Sequence, residues 1–133
     1  MATAVTENNA VSENNDLVAK LLNKPRNSAS VKMQIGDDVV EIKFEAISNK
    51  AYDKLLSDHP PKADQRIEGS TYDINTFGPA LLAACAVSPT LTTKQATDLW
   101  NAPSWSRGEA QTLFAKAVEV NFSGASVPFS AQD

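Results

Sequence analysis

The sequence predicts an α+β fold that is mainly α, in which an N-terminal β-hairpin packs on a small bundle of about four helices between disordered termini. Residues 30–45 alternate apolar and polar side chains with a period of two, as half-buried strands do. From Ser48 onward, apolar residues recur at helical spacing instead. Between residues 91 and 110, the side-chain pattern of a helix start occurs twice.

The length of 133 residues suits a single domain. Residues 1–15 are rich in Asn, Glu, Thr and Ser, so we expect a disordered arm that cannot offset the entropy of ordering. The hairpin and helices form one domain over residues 16–124, and residues 125–133 are expected to be a flexible tail. Asp16 to Leu22 is predicted to form a short helix or, alternatively, a loosely held arm.

The hairpin is predicted from two alternating runs that flank a polar turn. Gly36, Asp37 and Asp38 are residues that favour turns. A lone hairpin is marginally stable, so its apolar face must rest on the helices. The residues of that apolar face are Val31, Met33, Ile35, Val40, Ile42 and Phe44.

Two helices are predicted directly after the hairpin. The first runs from Ser48 to about Asp58, where two prolines stop it, and residues 62–73 are interpreted as a polar loop. The second is nearly apolar throughout and should be the most buried helix. We expect Asn75 or Thr76 to cap it.

Pro79 is expected in the first turn of that apolar helix. A proline there costs little, because the first backbone N–H groups of a helix have no partner within the helix.

The last two helices, from Thr92 to about Ala102 and from Ser106 to Asn121, are predicted from repeated capping boxes. In each box a hydroxyl accepts from the backbone N–H three residues on, and a Gln or Glu reaches back to the cap's own N–H. The two copies are Leu91, Thr92, Gln95, Ala96 and Trp105, Ser106, Glu109, Ala110.

The composition argues against several function classes. The net charge is −4 and no basic face is visible, so we expect no nucleic-acid partner. No run approaches the roughly 18 apolar residues of a membrane span, and residues 1–15 lack the features of a signal peptide. We therefore expect a soluble protein made in the cytoplasm.

No catalytic residue, cofactor or metal is predicted. His59 is interpreted as a helix C-terminal residue rather than a general base. Cys85 lies among apolar neighbours and is interpreted as a buried hydrophobe rather than a nucleophile. Metal-ligand spacing and phosphate-binding loops are absent from the sequence. Two acidic pairs, too sparse for a calcium loop, are interpreted as solvated charge: Asp37 with Asp38, and Asp64 with Glu68.

The two tryptophans have two interpretations. Either they anchor a partner, or they fix the tight turn between the last two helices. For Trp105, which belongs to a capping motif, we favour the second interpretation, whereas Trp100 is left open.

An ordered series of motifs runs from Ala51 to Phe122. A helix ends in a His-Pro-Pro turn at His59, a Phe-x-Pro motif starts at Phe77, a Cys-x-x-x-Pro-x-Leu stretch starts at Cys85, and two capped helices follow. This series resembles the tail assembly chaperones of tailed bacteriophages, especially those infecting actinobacteria. Further matching positions are Tyr52, Leu55, Leu56, Tyr72, Asp73, Thr76, Ala80, Leu81, Leu82, Leu99, Leu113, Ala117 and Asn121.

The resemblance implies a role rather than a reaction. Such proteins bind the tape measure protein in the host cytoplasm and keep it soluble while tail tube subunits polymerise around it. The implied partners are the tape measure protein, a frameshifted longer form of this chain and the tail tube protein. The chain would be absent from the mature virion, and flexible ends would suit a homo-oligomer.

A tape measure protein is a long helical chain, so its chaperone needs an apolar groove between helices. Exposed apolar residues of the helical domain are predicted to bind it, with Leu99, Trp100 and Phe122 as candidates. The alternative function is a structural virion component, either a minor tail or a head-tail protein. A small enzyme and a host regulatory or antitoxin-like module are further alternatives.

Overall fold

The structure, a computed structural model, describes the backbone of residues 2–124 and the side chains from Ala10 onward. The predicted mainly helical α+β class is confirmed. In chain order the elements are α1 (Ala2–Leu22), β1 (Ser28–Ile35), β2 (Asp38–Glu45), α2 (Asn49–Asp58), α3 (Ala63–Ile67), α4 (Ile74–Cys85), β3 (Ala86–Ser88), α5 (Thr93–Asn101) and α6 (Arg107–Phe122).

The predicted hairpin is present, with β1 and β2 antiparallel in a register that pairs Ser28 with Glu45 and Ile35 with Asp38. Gly36 has a φ of 60°, which glycine adopts without strain and which closes the tight turn. A third strand, β3, extends the sheet to the order β1-β2-β3. β3 was not predicted, because three residues directly after a helix show no alternation of apolar and polar side chains.

The core lies between the inner face of the hairpin and the helices. α4 is the most buried helix, as predicted, and α6 packs on both strands of the hairpin and buries Leu113, Ala117 and Val120. The largest fully buried side chains are Phe44, Phe77, Leu81, Leu82, Val120 and Cys85.

The N-terminal region differs from the prediction. The backbone is helical from Ala2, so the helix expected from Asp16 extends through residues predicted to be disordered. Short polar side chains do not break a helix, and runs of Asn and Ser only lower its stability. All residues from 10 to 26 are exposed, so the segment lies outside the core, as its composition indicated. The predicted tail at residues 125–133 lies outside the described residues.

The predicted polar loop over residues 62–73 contains the short helix α3. The loop ends at Asp73, whose carboxylate caps α4 by accepting from the backbone N–H of Asn75 at 3.1 Å. The cap predicted at Asn75 or Thr76 is therefore wrong. Because α4 begins two or three residues earlier than expected, Pro79 lies inside the helix rather than in its first turn.

Both predicted capping boxes are present. Thr92 Oγ1 accepts from the N–H of Gln95 at 3.1 Å, and Gln95 Oε1 accepts from the N–H of Thr92 at 3.0 Å. Ser106 and Glu109 make the equivalent pair at 3.1 and 2.9 Å. The bond from the Ser106 N–H lowers the pKa of the Glu109 carboxyl.

Asp73 joins three helical segments. Its carboxylate accepts from Gln65 Nε2 of α3 at 2.9 Å while it caps α4, and its own N–H donates to the carbonyl of His59 at the end of α2. The hydrogen bond from Gln65 lowers the pKa of Asp73 below its ordinary 3.8. Burial raises this pKa, and the hydrogen bond from the Asn75 N–H lowers it further.

We expect Asp73→Ala to lower the free energy of unfolding at neutral pH by about 1–2 kcal/mol, the usual cost of losing a helix N-cap. Because folding lowers this pKa, the stabilisation is complete above 3.8 and is lost as the pH falls through the folded-state value. Urea unfolding between pH 7 and pH 3 should therefore show the difference from wild type shrinking in acid. The exposed carboxylate variant Asp53→Ala is the control, and an unchanged difference at pH 3 would contradict the assignment.

Trp100 of α5 packs directly on Gly78 of α4. A Cβ atom placed on Gly78 would lie 2.6 Å from Cη2 of the indole, closer than side chains approach. The indole also meets the ring of Phe114 edge-on, with centroids 6.1 Å apart. The missing side chain at Gly78 therefore sets how closely α4 and α5 approach.

We expect Gly78→Ala to destabilise the protein by about 1–3 kcal/mol, because the indole must move to make room for the methyl group. Gly108→Ala is the matched control, since its Cβ would meet only Ser106 Oγ at 4.0 Å. That variant should lose no stability, because alanine favours the helix over glycine. Equal urea midpoints for the two variants would show that the contact is not tight.

Candidate functional site

An apolar cleft, with a cavity volume of about 230 Å³, opens between the turn end of the hairpin and the helices α5 and α6. Hereafter this feature is called the apolar cleft. The lining side chains are apolar or aromatic. They come from both strands of the hairpin, α4, the β3–α5 connection, α5, the turn between α5 and α6, and α6. The lining residues are Ile35, Val40, Ile42, Phe44, Leu82, Pro89, Leu91, Leu99, Trp105 and Leu113.

The cleft exists because the hairpin extends beyond the helices that cover its base. Phe44 near the base is fully buried, whereas Val40 and Ile35 at the tip remain 36% and 39% exposed on the same face. Val39, the neighbour of Val40, points to the opposite face and is 63% exposed. The apolar stripe of the hairpin is therefore longer than its own core requires.

The floor and walls of the cleft are firmly held. Phe44 and Leu82 have no exposed surface, and Leu113 is buried on α6. Leu99 and Trp105 form the side made by the capped helices, and both are half-buried. A side chain that enters the cleft would therefore meet preformed apolar walls rather than displace a mobile segment.

The chemistry of the cleft limits what it can bind. Without a polar side chain in its lining, it offers apolar contact, which contributes roughly 25 cal/mol for each Å² removed from water. Small polar metabolites need a few fixed polar groups for orientation, and the described lining residues expose none in the cleft. The cleft therefore fits apolar side chains of a partner.

A larger depression of about 590 Å³ lies between α2, α4 and α5 and includes His59. His59 is the C-cap of α2, as the sequence predicted, and its ring lies 6.5 Å from that of Phe77, centroid to centroid. The other described residues that line this depression are aliphatic, Asn or Thr, so His59 has no acidic or basic partner there. The arrangement gives His59 a structural position.

Cys85 is fully buried, as predicted. Asn121 Nδ2 lies 3.3 Å from its Sγ, and the same amide nitrogen donates to the carbonyl of Ala117 at 2.7 Å. Burial raises the pKa of the thiol, which keeps it protonated. Its low reactivity toward thiol reagents stays a prediction.

The three candidate partner-binding residues do not lie in one site. Leu99 lines the apolar cleft, whereas Trp100 packs on Gly78 and faces a different depression beside α6. Phe122 is 69% exposed at the end of α6, and its ring meets Tyr52 edge-on with centroids 5.3 Å apart. Trp105, which the sequence analysis assigned to the helix turn, lines the cleft as well.

The hairpin contributes to the site in a way that was not predicted. Ile35 and Val40 were interpreted only as core-facing positions, yet their exposure forms the mouth of the cleft. The available signal was the length of the alternating stripe, which reaches the turn itself.

Within residues 10–124, no three His, Cys, Asp or Glu side chains come together as a metal site would require. None of the described helices has both the length and the hydropathy of a bilayer-spanning segment.

Comparisons of the chain with protein-family models, with curated proteins and with solved structures give no match.

Proposed function

We propose that this protein is a phage tail assembly chaperone that binds an apolar helical segment of the tape measure protein in the apolar cleft. Two independent lines support the proposal. The order of motifs from Ala51 to Phe122 resembles that family, and the cleft supplies the apolar surface that such a partner needs. The role involves no catalysis, and its place is the cytoplasm of the host cell.

The single observation that carries the proposal is the wholly apolar lining of the cleft on a chain of net charge −4. Before the tail tube forms around it, a long helical tape measure protein exposes apolar side chains, which aggregate unless they are covered. A chaperone with an apolar cleft and a charged exterior covers them and stays in solution. Leu99 of α5 and Trp105 of the turn between α5 and α6 would touch the partner.

The longer frameshifted form of the chain and the tail tube protein remain proposed partners. A structural virion component is the alternative function, since a cleft of this kind would also fit a neighbouring tail protein. The two functions differ in whether the chain is present in the mature particle. A chaperone leaves before the particle is complete, whereas a component stays in it.

We expect Val40→Glu to weaken binding of the tape measure protein at least tenfold, because a carboxylate would have to be buried among apolar side chains. Val39→Glu is the matched control, since that neighbour lies on the opposite face of the hairpin and outside the cleft lining. Co-expression followed by separation of soluble and insoluble protein, with affinity measured on the purified pair, tests both variants. Trp100→Ala is less informative, because its indole packs on Gly78 and its loss would also change folding.

If the tape measure protein is equally soluble with and without this chain, the chaperone function is wrong. If the chain is stoichiometric in purified mature tails, the structural component replaces it. Equal loss of binding in Val39→Glu and Val40→Glu would place the contact outside the cleft.

A further inference from the structure

Helix α1 carries an apolar stripe that nothing in the described chain covers. At 100° per residue, Val11, Leu17, Val18, Leu21 and Leu22 fall within an arc of roughly 140°, and the charged residues Glu13, Asp16 and Lys20 fall on the opposite side. Leu21 and Leu22 are 77% and 79% exposed.

Such a helix is not stable by itself. An isolated helix of this length is marginal in water even when it is rich in alanine, and most helices in proteins depend on packing of their apolar face. Residues 8–15 include four asparagines, which lower helix propensity further. A helix at α1 therefore calls for a covering surface.

We propose that α1 of one copy places its apolar stripe in the apolar cleft of a second copy. Both surfaces are apolar, exposed and on the same chain. From Val11 to Leu22 the stripe rises about 16 Å, and the four steps from Val40 to Phe44 along the cleft span about 13 Å. Reciprocal exchange of the two helices would close a dimer.

The charges at the two surfaces also match. Lys24 and Arg26 follow the end of α1 directly, and residues 17–26 carry no acidic side chain. The turn at the mouth of the cleft carries Asp37 and Asp38, both exposed. With the basic end of α1 at this turn, opposite charges meet beside the apolar contact and fix its direction.

The same charges disfavour insertion of α1 into its own cleft. The connection after Leu22 leads directly to Ser28, which lies at the base of the hairpin, about 23 Å along β1 from Ile35 at the tip. A helix folded back from there would keep its basic end at the base and bring the acidic half, with Glu13, to Asp37 and Asp38. A second copy has no such tether.

Dimerisation through this contact goes beyond the proposed function, because it needs no tape measure protein. The stripe of α1 and a tape measure segment would then compete for one cleft. Self-association would keep the cleft covered until a tape measure segment displaces the helix.

Sedimentation equilibrium of the full chain tests the proposal. Wild type should dimerise, and both Leu21→Glu on the stripe and Val40→Glu in the cleft should raise the dimer dissociation constant at least tenfold. The matched controls are Ser12→Glu on the polar face of α1 and Val39→Glu on the outer face of the hairpin, and both should dimerise as wild type does. Circular dichroism confirms that each variant is folded.

Mixing Leu21→Glu with Val40→Glu shows whether α1 of a second copy is what occupies the apolar cleft. Leu21→Glu retains an intact cleft and Val40→Glu retains an intact stripe, so together they should form a one-to-one heterodimer through the single remaining contact. A Val40→Glu protein that still dimerises would show that α1 pairs with α1, and would overturn the proposal. A wild type that is monomeric at every concentration would overturn it as well.

Charge exchange tests the direction of the helix. Lys24→Glu with Arg26→Glu should weaken the dimer, and adding Asp37→Lys with Asp38→Lys in the same chain should restore it. Failure of that restoration, with weakening in both pairs alone, would contradict the proposed orientation.

Discussion

The burial of α4 is the constraint on which the other elements depend. Phe77 lies at the centre of an aromatic cluster, with Tyr72, Tyr52 and Phe114 at centroid distances of 4.6, 5.8 and 6.0 Å. These rings come from α2, α6 and the segment before α4, so one helix positions two other helices and the segment that leads into it. On another side, Gly78 admits the indole of Trp100 and draws α5 inward. The walls of the apolar cleft follow from that packing.

Features set by local sequence could be predicted, whereas those set by tertiary neighbours could not. Each capping box depends on residues three positions apart, and the hairpin depends on two runs joined by a short turn. All three features were predicted from these local patterns. The cap at Asp73 depends on Gln65 as well as Asn75, and β3 exists because Ala86 reaches Phe44 on a distant strand. Neither relation leaves a periodic pattern.

The candidate site shows the same division. Helical spacing correctly predicted that Leu99 and Trp100 face inward, but it could not show that only Leu99 of the two lines the apolar cleft. Only the absence of a side chain at Gly78, far along the chain, provides the space that the indole fills. The contribution of Ile35 and Val40 depends on where α5 and α6 stop covering the sheet, which is a property of the assembled domain.

At the tip of the hairpin, the residues that line the mouth of the cleft are distinct from those that hold the core. Phe44 and Leu82 carry the core, while Ile35 and Val40 stand at the mouth with more than a third of their surface in solvent. Substitutions between apolar residues at such half-exposed positions change stability little. The mouth can therefore change in sequence and shape at little cost in stability, while the floor must stay constant.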